Sequence, residues 1–415
     1  MSAAHHRISR RRFLAGAGAA LAAGGLLPNV LFAKTGGSAK LVVVILRGAL
    51  DGLAAVPPHG DPDYVALHRD LAVAPPGGDG GALALDATFG LHPSLKFLHE
   101  RYRSRELLLF HAIASPYRDR SHFDGQNVLE NGRAQALGSA DGWLNRALSC
   151  LQPRAAGFDA GRALALSQNV PLILRGGHEV LSKSPQAAAD VDEDLMLRLA
   201  DLYSKDQWFS ARLSEAAESE KLTAGMPMSG PLPAGAADNP KPRDGKLERT
   251  VQMAAQIMRS EGGPEIAVLE AGGWDTHANQ GAHDGTLAGR LSGLDQSMRA
   301  LADGLGPLWQ NTAVLIVTEF GRTAAMNGTR GTDHGTGACC FLLGGSVSGG
   351  RVVANWPGLK RAALLEGRDL KPTADLRSVF KSVLADHLRI DRMRLEKTVF
   401  PDSASARPFS DLIKA

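Results

Sequence analysis

Few cysteines and little net charge bound what this chain of 415 residues can be. Its three cysteines do not make the disulfide framework of a small secreted domain. Cys339 and Cys340 are neighbours, which disfavours a bridge between them. Their apolar run, Ala338 to Leu343, reads as a place for buried thiols. A cysteine cluster and a dinucleotide-binding glycine fingerprint are both lacking, so an oxidoreductase reading finds no support. The formal charge of +3 is carried by the start of the chain. Residues 1–33 hold Arg7, Arg10, Arg11 and Arg12 and no acid, so the remainder carries −1. A nearly neutral remainder gives no electrostatic reason to expect nucleic acid as a partner. There is no convincing internal repeat and no run suited to a permanent membrane span. The weakly apolar stretch from Leu14 to Ala33 is broken by glycines and Pro28.

What is present begins with an export signal. Ser9-Arg10-Arg11-Arg12-Phe13-Leu14 matches the twin-arginine pattern, and the Gly/Ala/Leu stretch behind it ends at Ala33, a plausible cleavage position. The expected partner is the twin-arginine translocase, and the expected location is the periplasm or the extracellular space. Because that route carries folded cargo, it suits proteins that bind a metal or cofactor before export. Residues 34–415 are then expected to form a single domain.

Leu41–Leu46 is a continuous apolar, largely β-branched run, short enough for a strand buried on both faces. Similar runs are Leu107–Ile113, Val170–Leu174, Ile266–Leu269, Ala313–Val317 and Cys339–Leu343. Between them, Leu291, Leu294, Met298, Leu301 and Leu305 step by helical spacing, as do Val251, Ala254, Ile257 and Met258, and Leu195, Leu199 and Leu202. Leu376–Leu388 reads as a further helix, and 226–245, rich in Pro, Gly and Ala, as an exposed loop. Strands alternating with helices predict an α/β fold: a mostly parallel central sheet flanked by helices on both faces.

The polar residues of interest follow the strands, at the edge where parallel α/β sheets bind ligands. They are Asp51 after the first strand, then Glu270, Asp275 and His277, then Glu319 and Arg322, then Asp333 and His334 in a glycine-rich loop. Each alone is weak, since a single Asp at a strand end is usually a cap or turn residue. Together, carboxylates converging on one edge repel one another unless cations hold them. With His277 and His334 beside them, a divalent metal is the economical cation. Mixed imidazole and carboxylate ligands suit zinc first, then manganese or iron; carboxylates alone would suit calcium or magnesium. A second group, Arg118-Asp119-Arg120-Ser121-His122-Phe123-Asp124, follows Leu107–Ile113 and opens a helix. Ser121 or His122 there could act as nucleophile, with Arg120 beside it. Ser121 capping the helix while the arginines pair with Asp119 and Asp124 explains the segment equally well.

These motifs carry a resemblance. Arg-Gly-x-x-Asp-Gly after the first strand, Ser-His-Phe-Asp-x-Gln, Gly-Gly-Trp-Asp-Thr-His, Thr-Glu-Phe-Gly-Arg-Thr and Asp-His-Gly-Thr-Gly together resemble those of a group of twin-arginine-exported bacterial proteins of unknown function. That group looks like a branch of the alkaline phosphatase and sulfatase superfamily. The resemblance implies an alkaline-phosphatase-like fold with one or two metals at the sheet edge. Asp51, Glu270, Asp275, His277, Glu319, Asp333 and His334 would be the metal-binding residues. Ser121 and His122 would be catalytic, and Arg120 or Arg322 would bind the anionic group of a phosphate or sulfate ester. The chain departs from the superfamily in three places. The histidine after Asp275 comes two residues later rather than four. Glu319-Phe320 stand where an Asp-His pair is usual. A Cys/Ser-x-Pro-x-Arg motif is lacking. A metal-stabilised binding or assembly protein with a degenerate site therefore stays open beside the hydrolase.

Overall fold

The computed structural model describes residues 39–152, 161–167, 169–184 and 245–414. The strands in chain order are β1 (Lys40–Leu46), β2 (Leu83–Ala84), β3 (Gly90–Leu91), β4 (Leu107–Ala114), β5 (Ala163–Leu166), β6 (Leu181–Ser182), β7 (Ile266–Ala271), β8 (Thr312–Val317), β9 (Ala338–Leu343), β10 (Arg351–Val353) and β11 (Ala374–Asp375). Among the described residues, nine of them form one sheet in the order β10-β4-β9-β8-β1-β7-β5-β6, with β11 also on β4; β2 and β3 form a separate small ribbon. Only β9 runs against its neighbours, β4 and β8. The other pairings in this sheet are parallel. The architecture is the expected mostly parallel mixed sheet with helices on both faces.

Alternation along β1 shows why. Val42, Val44 and Leu46 pack into one core with Val251, Ala254, Ile257 and Met258 of the helix Lys246–Arg259 and with Leu291, Leu294, Met298, Leu301 and Leu305 of the helix Thr286–Leu305. Leu41, Val43 and Ile45 face the opposite way, into a second core with Trp143, Phe380 and Phe400. A strand buried on both faces has no polar side to show, hence the unbroken apolar run. Cys339 and Cys340 are buried and free, one in each core.

One expected strand is not one. In 170–174 the chain makes a 3-10 turn, Leu172–Leu174, and the strand beside β7 is Ala163–Leu166 instead. Pro171 lacks the N–H a ladder position needs and starts the turn. The helix expected from Leu376 to Leu388 runs Leu376–Asp386, capped by Asp375 on Arg377 N. The signal in 1–33, the helix face of Leu195, Leu199 and Leu202, and the loop at 226–244 lie outside the described residues. No helix among the described residues is long and apolar enough to cross a membrane.

Candidate metal centre

Strands β1, β4, β7 and β8 run in one direction, so their carboxyl ends share one edge; β9, running the other way, starts there. Five segments meet at this edge: 47–51, 115–122, 272–280, 318–323 and 331–337. Two glycines let them touch. A Cβ on Gly331 would lie 2.3 Å from the His277 carbonyl carbon. One on Gly48, whose φ of +115° already disfavours other residues, would lie 2.7 Å from Asp275 N.

The result is a cluster of three imidazoles around one carboxylate. His277 Nε2 lies 3.0 Å from Asp275 Oδ1 and 3.0 Å from His334 Nε2. His334 Nε2 lies 3.3 Å from the same Oδ1, and His122 Nε2 lies 3.4 Å from Asp275 Oδ2. One ligand atom from each of His122, Asp275 and His334 fits within 4.8 Å of the others. The rings pack together: His122 meets His334 edge-on at 4.3 Å between centroids and stacks on Phe320 at 5.0 Å.

The other ring nitrogens decide the chemistry. His122 Nδ1 lies 2.8 Å from Glu319 Oε1, His277 Nδ1 lies 3.1 Å from Asp333 Oδ1, and His334 Nδ1 lies 2.9 Å from the Arg120 carbonyl. A carbonyl or a carboxylate can only accept, so each Nδ1 carries its proton; in a neutral ring Nε2 is then an acceptor, while the hydrogen bond to Glu319 draws His122 towards its charged form. Both acids are held ionised. Burial pushes the Glu319 carboxyl up, but the hydrogen bond from His122 and those from backbone amides hold it below the usual range. The hydrogen bond from Asn327 does the same for Asp333. Burial pushes Asp275 up, and the hydrogen bond and charge of Arg322 override it downwards. Two bare nitrogens 3.0 Å apart repel unless a proton or a cation lies between them. Burial draws His334 towards its neutral form, which disfavours the proton. His122 Nε2 is buried and makes no hydrogen bond despite its approach to Asp275. Ring Nε2 atoms beside a carboxylate, with every Nδ1 anchored, form a group that could hold a divalent metal ion.

The expected site residues separate into three groups. His122, Asp275, His277 and His334 converge. Glu319 and Asp333 stand one step back, as acceptors for ring Nδ1 atoms. Glu319 Oε1 also accepts from Gly48 N at 2.8 Å and Gln126 Nε2 at 3.2 Å, so its lone pairs are taken.

The remaining residues do not join the cluster. Glu270 pairs with Arg47, which also holds Glu130 at 2.9 Å, so it has a cationic partner away from the cluster. Asp51 is fully buried, caps the Gly52–Ala55 turn through Leu53 N and Ala54 N, and faces His68 Nε2 at 3.3 Å and Gln280 Nε2 at 2.8 Å.

Neither arginine is presented to a ligand as expected. Arg120, in the left-handed region at φ 62°, reaches Asp369 at 2.8 Å and Glu366 at 2.6 Å, not Asp119 or Asp124. Arg322 is buried, with its guanidinium on Asp275, Thr332 O and Thr332 Oγ1. Ser121 occupies the N-cap position of the helix His122–Asn131 but its side chain makes no capping bond. Sequence reasoning passed over His68, Gln280, Thr332 and Asp369. Gln280 lies three residues after His277, the nearest thing to a signal; His68 and Asp369 stand in no motif.

No curated protein matches the chain. Among solved structures, the phosphonate monoester hydrolase of Agrobacterium radiobacter is similar at 11% identity and TM-score 0.39, over 85% of this chain and 74% of that one. The structure described as Ps i-CgsB in complex with k-i-k-neocarrahexaose is similar at 12% identity and TM-score 0.36, over 77% and 69%. The zinc complex of the C-terminal periplasmic domain of EcEptC from Escherichia coli is similar at 9% identity and TM-score 0.30, over 75% and 74%. The model of the family described as protein of unknown function (DUF1501) matches residues 111–399, more than half of the chain, and the protein belongs to that family.

Proposed function

We propose that this protein is an exported, metal-dependent hydrolase of phosphate or sulfate esters. The observation that supports the reading is the set of three anchored imidazoles, each offering Nε2, around Asp275. Imidazole-rich donors favour zinc, manganese or iron over calcium or magnesium. A divalent ion there supplies Lewis acidity and a lowered pKa for a bound hydroxyl or water. The chain's own residues supply the rest. Glu319, Asp333 and the Arg120 carbonyl set the ring tautomers, and Arg322 fixes the Asp275 carboxylate. Ser121, next to His122 and not spent on capping, is the candidate nucleophile. Arg120 and Arg322 act as struts rather than as anion receptors.

Elemental analysis of the mature protein tests the metal, and assay of aryl phosphates and sulfates tests the activity. The expected outcome is about one or two equivalents of metal, lost together with hydrolysis in Asp275→Ala and His334→Ala. Ester hydrolysis unchanged in Asp275→Ala, at equal folding, overturns the reading. The two tied arginines favour one alternative, a metal-stabilised binding or assembly protein; chelation would then lower the melting temperature with no hydrolysis to lose. Export by the twin-arginine route belongs to the same proposal. Replacing Arg10 and Arg11 by Lys should keep the precursor in the cytoplasm.

A further inference from the structure

Behind the cluster a chain of buried side chains runs inward with a single polarity. Arg322, 1% exposed, donates to Asp275 Oδ1 and, through Nε, to Thr332 Oγ1 at 3.2 Å. Thr332 Oγ1 donates to Gln280 Oε1 at 3.0 Å, and Thr276 Oγ1 donates to the same oxygen at 2.7 Å. Gln280 Nε2 donates to Asp51 Oδ2 at 2.8 Å. Gln280 and Thr332 are completely buried, so neither can trade a protein partner for water. Each member has one workable direction: the guanidinium only donates, the Asp51 carboxylate only accepts, and each hydroxyl has one proton to give.

We propose that Gln280 is a positioning residue for the metal centre, holding Thr332 and Arg322 so that Arg322 presents the Asp275 carboxylate to the three imidazoles. The reasoning rests on the metal reading above. An amide is the one side chain of this shape that accepts from two threonines and donates to Asp51. Glu at 280 has the same outline and the wrong polarity, because its carboxylate would face that of Asp51.

The probe is cobalt(II), followed by its visible ligand-field spectrum and by competition with a chromophoric chelator. Gln280→Glu should bind cobalt about 10–100-fold more weakly, the range for loss of an orienting partner, with an altered spectrum. The double variant Asp51→Asn/Gln280→Glu restores a donor opposite an acceptor. It should recover affinity to within about threefold of wild type, well inside that range. A general fold defect would not be cured by the second substitution, and melting curves of all three proteins check this directly. Cobalt affinity and spectrum unchanged in Gln280→Glu overturn the positioning role while leaving the metal centre standing. A wild-type protein that takes up no cobalt overturns both.

Discussion

Two carboxylate–histidine groups lie at this sheet edge, and they are finished differently. In the buried one, Asp51 faces His68, His68 Nδ1 lies 3.1 Å from the Ala324 carbonyl, and Gln280 and two backbone amides take up the rest of the carboxylate. Charges cancel within the pair and the residues are sealed from water. In the outer one, around Asp275, the rings are anchored from behind and their second nitrogens gather at the carboxylate and at one another. The same residue types thus make a closed ion pair in one place and an open donor set in the other. A His and an Asp in a motif do not say which; how many rings gather on the carboxylate, and whether the group is sealed from water, does.

The largest expected effect would break the outer group. Asp275→Ala should weaken metal binding by more than about 100-fold, beyond the loss expected for an orienting partner; chelator competition measures it. A clear separation of the two groups should come next, from His68→Gln. Leaving Asp51 buried without its charge partner should cost about 3–5 kcal/mol in denaturant unfolding, with metal content retained. Loss of metal at unchanged stability would reverse the assignment of the two groups.

Glu319→Gln and Asp333→Asn probe the anchors. Each should lower metal affinity by about 10–100-fold. Glu319 should have the larger effect, since it is buried and also holds Gly48 N and Gln126. The smallest effect is the pH dependence of the buried pair. Burial pulls the His68 pKa down from 6.5, but the charge and hydrogen bond of Asp51 with the hydrogen bond to Ala324 together raise the value. Burial pushes Asp51 up from 3.8, and the His68 charge with the hydrogen bonds from His68, Gln280 and Ala54 N together bring it below that value. The folded state therefore holds the His68 proton more tightly than the unfolded chain does. That contribution is fully present below about pH 6.5 and is lost as the pH rises through the raised folded value. The Asp51 contribution is present above about pH 3.8 and is lost as the pH falls through its lowered value. Unfolding curves of wild type and His68→Gln should accordingly converge at high pH.

Much of this was legible in the chain. β1, β4, β7, β8 and β9 stand where continuous apolar runs predicted them, because a strand covered on both faces leaves its mark at every position. The turn at Leu172–Leu174 was misread because a short apolar run looks alike in either state, and Pro171 decided it. Asp275 and His277 could be singled out because they follow a strand, and His334 because its glycine-rich loop leads into one at the same edge. The standing of Asp51, Glu270 and Glu319 could not. Their partners, His68, Arg47 and His122, lie 17, 223 and 197 positions away in the sequence, and no local pattern announces them.

The sequence by itself determined the strand–helix alternation, the shared edge of the polar residues and their donor chemistry. All of these follow from local hydrophobicity and residue type. Only the tertiary structure decided which carboxylate stands among the imidazoles, which holds a ring from behind and which pairs with an arginine or a buried histidine. That choice depends on the direction of each lone pair and proton, and those directions exist only once distant loops are pressed together.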